Sequence, residues 1–86
     1  MTEETYGQRL VRASFNPSGN PKVDELKIVT AALIDLMWGY VEELESISMN
    51  DMTELQMVAH DHKIECLNIA MSRVEEAAMW AVKGVT

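Results

Sequence analysis

An 86-residue chain with 14 acidic and 7 basic residues has a net charge of −7, which excludes the basic stripe needed to hold long DNA or RNA and disfavours an anionic membrane surface. A single cysteine, Cys66, excludes an intrachain disulfide and suits a reducing cytosol. No apolar run approaches the roughly 20 residues that cross a bilayer, and the acidic stretch Met1–Glu4 lacks the pattern of a secretory signal, so a cytoplasmic protein is expected.

One domain over residues 1–86 is expected, divided into an N-terminal segment and turn (1–20), a first long helix (21–48) and a second (52–84). Both prolines lie in Phe15-Asn16-Pro17-Ser18-Gly19-Asn20-Pro21, which reads as a turn followed by a helix start. Asn20 suits the N-cap, Pro21 the first helical position, and Asp24 and Glu25 the positive end of the helix dipole. The next apolar line is Val23, Leu26, Thr30, Leu33, Met37, Tyr40, Leu44 and Ile47, whose alternating spacing of three and four predicts a helix seam. Val29, Ala32 and Leu36 widen that face, Trp38 lies off it, and Gly39 weakens the helix by about 1 kcal/mol relative to alanine.

Asp51-x-x-Glu54 resembles a capping box for the second helix. Its stripe is Met57, His60, Ile64, Leu67, Met71, Val74, Ala78, Ala81 and Val85, closed by Gly84 with Lys83 in the last turn. Two long helices with a short connection fold as an antiparallel hairpin, so the class is all-α. Two helices bury only one stripe each, and Met79 and Trp80 are left wanting a partner, so a homo-oligomer is expected. The seven methionines fit adaptable packing between helices.

Three chemical readings compete with plain packing. His60, His62 and Cys66 form H-x-H-x3-C, but on a helix only His62 and Cys66 share a face, short of the four ligands of a structural zinc site. No metal and no cofactor are therefore expected. Cys66 and His62 also lack the third orienting group of a nucleophilic centre, and Glu42, Glu43, Glu45, Glu75 and Glu76 read as a solvated surface, so no enzyme is expected. The informative cluster is Arg9, Arg12, Phe15, Asn16 and Lys27, which places cations, an amide and a stacking ring beside a helix N-terminus, as phosphate and base recognition require. The same residues also read as surface arginines and a hydrophobic staple.

The run Ser14-Phe15-Asn16-Pro17-Ser18-Gly19-Asn20-Pro21-Lys22-Val23-Asp24-Glu25-Leu26-Lys27, with Ala32–Leu36 beyond it, and the run Val74-Glu75-Glu76-Ala77-Ala78-Met79-Trp80-Ala81-Val82-Lys83-Gly84-Val85-Thr86 together resemble the helical-hairpin domain of phage anti-CBASS and Thoeris anti-defence proteins. The resemblance implies a sponge that sequesters cyclic dinucleotides, cyclic trinucleotides or cyclised ADP-ribose without cleaving them. It implies a dimer, or a hexamer built as a trimer of dimers, with the dinucleotide pocket between subunits. By resemblance the stacking aromatic falls on Phe15 and the phosphate-binding lysine on Lys27, with Asn16 and Arg12 beside them as further hydrogen-bonding groups. A second, trinucleotide pocket on the three-fold axis would use an arginine and a threonine, whose places here are taken by Glu65 and Ser72. Serine keeps the hydroxyl; glutamate cannot serve a phosphate, and Arg73 would stand in only one position away. Residues 44–63 lengthen the hairpin tip relative to the shortest relatives. The rival reading is a helical interaction or assembly module with no small ligand.

Overall fold

The computed structural model describes residues 3–86, so the first two residues of the expected N-terminal segment lie outside the described residues. The described residues form three helices: α1 (Tyr6–Leu10), α2 (Pro21–Glu45) and α3 (Glu54–Val85). The hairpin of α2 and α3 is the expected all-α architecture, and α1 is an addition that the sequence reading did not contain.

Local sequence explains each boundary. Thr5 and Gln8 form a reciprocal capping box that starts α1, which stops after one turn at Val11. Arg12 then takes a left-handed backbone (φ 54°), which reverses the chain. Asn20 caps α2 by accepting from the Lys22 N–H, with Pro21 in the first turn. α2 ends at Glu45 rather than near Ser48, because Ser46 turns back on it: its N–H donates to the Glu42 carbonyl and its hydroxyl to the Glu43 carbonyl. The start of α3 also differs from expectation. Its capping box is Thr53 with Gln56, not Asp51 with Glu54. Threonine with glutamine makes both reciprocal bonds, whereas Glu54 sits too early to reach back.

The buried line along α2 is Val23, Lys27, Ala31, Ile34 and Val41. It runs one position beyond much of the predicted seam, and Leu33, Tyr40 and Ile47 are exposed instead. The cause is α1, which packs on α2 at Ala31 and Asp35 and so adds that side of the helix to the buried face. Gly7 makes that approach possible: a Cβ there would collide with the Ala31 backbone carbonyl, and its N–H donates to Asp35 Oδ1 at 2.7 Å. Tyr6 stacks on Trp38 with ring centroids 4.6 Å apart, which gives Trp38 its place off the seam. On α3 the buried residues His60, Met71 and Ala78, with Ile64, Leu67 and Val74 packed beside them, follow the expected stripe.

The assembly of helices measures 52 × 30 × 13 Å. The shape is elongated and thin, which leaves much of each long helix uncovered. Ile28, Val29, Leu33, Leu36 and Tyr40 of α2, and Leu55, Val58, Ile69, Met79 and Trp80 of α3, stand exposed on it.

Candidate functional site

The antiparallel hairpin brings the start of α2 beside the end of α3, and Asn20 Nδ2 fastens them by donating to the Val85 carbonyl at 2.9 Å. Beside this closure a cavity of about 460 Å³ is lined by residues of the α1–α2 corner (Leu10, Val11, Arg12, Phe15), by Lys27 of α2, and by Glu75, Ala78, Met79, Val82 and Lys83 of α3. Its volume lies in the range of small-ligand pockets.

Three of the four residues singled out for the main site meet there. The Lys27 side chain is buried, and its ammonium donates to the Arg12 carbonyl at 2.7 Å and to the Phe15 carbonyl. It also lies 5.5 Å from the centre of the Phe15 ring, and the Arg12 guanidinium 6.0 Å from the same ring. An ammonium has three donors, of which two hold the loop. Lys27 thus fixes the left-handed corner at Arg12 and presents Phe15, which is 57% exposed and free to stack.

Asn16 is placed differently. Its Nδ2 donates to the Asn20 carbonyl at 3.0 Å and to Asp24 Oδ1 at 3.1 Å, and its Oδ1 accepts from the Ser18 hydroxyl. Its polar atoms thus shape the turn that carries Phe15, and it is absent from the cavity lining. The α2 N-terminus is likewise served by its own cap. Arg9 lies exposed on α1, outside the cavity.

Lys83 and Glu75 are the lining residues that the sequence reading assigned elsewhere, to a helix dipole and to a solvated face. The hairpin itself was the available signal, since antiparallel packing sets residues 75–83 opposite 12–27. With Arg12, Lys27 and Lys83 against Glu75, the lining is cationic in a chain of net charge −7.

Ser72, Arg73 and Glu65 share an open groove on α3 with Asp61, Ile64, Asn68 and Ile69. All seven belong to one helix, so a single chain supplies one wall of that groove. Arg73 faces Glu76 at 3.6 Å on the surface. At the hairpin tip, His60 is buried and its Nε2 lies 2.7 Å from the Leu44 carbonyl. A carbonyl only accepts, so Nε2 carries the proton, and His60 caps one of the last carbonyls of α2. His62 Nε2 and Cys66 Sγ approach to 3.5 Å on the exposed face, and among the described residues no three His, Cys, Asp or Glu side chains gather for a metal.

No helix of the described residues is long and apolar enough to cross a membrane. Comparison with curated proteins and with solved structures gives no match. The family model "Acb2/Tad1, hairpin domain" matches residues 8–86, which takes in both hairpin helices and the whole cavity lining. The chain belongs to the Acb2/Tad1 hairpin family, whose members are anti-CBASS and anti-Thoeris sponge proteins rather than enzymes.

Proposed function

We propose that this protein sequesters cyclic nucleotide immune signals in the cavity between the α1–α2 corner and α3 and releases them unaltered. The observation that carries this reading is the reversal of charge at the cavity. Arg12 and Lys27 flank an exposed aromatic ring, and Lys83, whose ammonium lies 5.2 Å from the centre of the Trp80 ring, completes a lining with more cations than acids within an otherwise acidic protein. Phe15 stacks on a base, the third donor of Lys27 and the head groups of Arg12 and Lys83 meet phosphate, and Asn16 holds the loop in place. Sequestration needs affinity and copy number, with no acid, base or nucleophile. The acidic remainder of the surface turns away RNA and DNA.

In this reading the chain works as a homo-oligomer, a dimer or a trimer of dimers, in the cytoplasm of the infected host cell. The exposed line Val29, Leu33, Leu36 and Tyr40 supports the assembly, because its spacing is that of a second helix seam with nothing packed on it. The α3 groove at Ser72 and Arg73 is then a second site that copies of the chain complete around an axis. A pure interaction module shares the apolar seam but has no use for a cationic cavity with a stacking ring.

Titration calorimetry against cyclic dinucleotides, cyclic trinucleotides and cyclised ADP-ribose tests the proposal, followed by heating and chromatography of the released ligand. Tight binding with intact ligand recovered is expected. Degraded ligand would replace sequestration with catalysis, and silence across the panel would leave the interaction module.

A further inference from the structure

The cavity holds one group that phosphate recognition cannot use. Glu75 is half-buried in the lining, and among the described residues the ion pairs are His60–Asp61 and Arg73–Glu76, so none engages it. A carboxylate repels phosphate and accepts hydrogen bonds only. In a nucleotide site it therefore belongs to the part of the ligand that donates, which is the edge of a base.

The bases differ sharply at that edge. Guanine presents N1–H and the 2-amino group side by side, the same parallel pair of donors that a guanidinium offers to a carboxylate. Adenine and cytosine each set an amino group beside a ring nitrogen that accepts, whose lone pair would face the carboxylate. Uracil has one N–H between two carbonyls. The walls of the cavity suit this division: Phe15 comes from the α1–α2 corner and Glu75 from α3. A base stacked on the ring keeps its edge free in the plane of stacking, where a different wall can read it.

We propose that Glu75 selects guanine, so that the ligand is a cyclic dinucleotide carrying at least one guanine base. This inference rests on the sequestration reading and names the ligand for the same cavity.

The test compares wild type and Glu75→Gln by calorimetry with cyclic di-GMP, cyclic GMP–AMP, cyclic di-AMP and cyclised ADP-ribose. Glutamine keeps the size and offers one acceptor and one donor, a pattern that also suits adenine. Wild type should bind the guanine-bearing ligands about tenfold or more tightly than cyclic di-AMP, in line with the discrimination of a bidentate base contact. Glu75→Gln should lose that preference while its melting curve and oligomeric size stay those of wild type. Equal wild-type affinities, or a preference that survives in Glu75→Gln, would overturn the assignment. Binding of cyclised ADP-ribose alone would overturn the guanine assignment and leave sequestration standing. Binding of none of the four would overturn the guanine assignment, and silence of the cyclic trinucleotides as well would remove sequestration.

Discussion

Arg12 has a strained backbone and, in the proposed reading, a side chain that meets the ligand, and the two pull in opposite ways. Its left-handed φ of 54° is a conformation that glycine adopts freely and most side chains resist by about 1 kcal/mol. The Lys27 ammonium holds the strained corner by donating to the Arg12 carbonyl at 2.7 Å. Strain retained beside a cavity is a sign that the side chain is needed there. Arg12→Gly is therefore expected to leave thermal stability unchanged or slightly raised, within about 1 kcal/mol, while nucleotide affinity in calorimetry falls at least several-fold. A clear loss of stability with unchanged affinity would mean that the arginine serves the fold alone. Lys27 was legible in the sequence as a candidate phosphate ligand, yet its carbonyl partners were not. A sequence gives the charge of a side chain, and only the path of the loop decides how many of its donors are already spent.

At the scale of the element, α1 has more influence than its five residues suggest. It fixes the direction from which Arg12 and Phe15 enter the cavity, and it shifts the buried face of α2 away from the predicted seam. Its docking depends on Gly7, where an added methyl group meets the Ala31 backbone. Backbone cannot rotate away as a side chain does, so Gly7→Ala should cost about 1–3 kcal/mol in chemical denaturation and weaken ligand binding with it. Full stability in that variant would show that α1 contributes little. The two long helices were legible from periodicity, and the cap at Asn20 with Pro21 from local chemistry. Helix α1 was not, because a single turn carries too few apolar positions to show a period. Its Thr5–Gln8 capping box was present to be found, as was the Thr53–Gln56 box that competed with Asp51–Glu54. In both cases the true pair makes two reciprocal side-chain bonds, a stricter condition than an acidic residue at the right spacing.

The described residues form a thin plate whose shortest extent is 13 Å, and two long helices packed on each other leave a second face of each uncovered. Val29, Leu33, Leu36 and Tyr40 make one such face continuous along α2. Leu36→Glu places charge in its middle, away from the cavity. In size-exclusion chromatography with light scattering it should reduce an oligomer to smaller species, and its melting temperature should fall as protein is diluted. An unchanged mass would locate the assembly surface elsewhere. The expectation of a partner came from two stripes in a short chain, whereas which apolar face stands exposed depended on how α1 shifts the buried line. The thinness of the plate also bears on how such a chain changes over time. Among the described residues seven apolar side chains are buried: Val11, Val23, Ala31, Ile34, Val41, Met71 and Ala78. Most other described positions are half-buried or exposed, so the fold itself vetoes few substitutions. A lineage pressed to meet new signals can therefore rewrite most of its surface while the same small set of enclosed side chains keeps the hairpin intact.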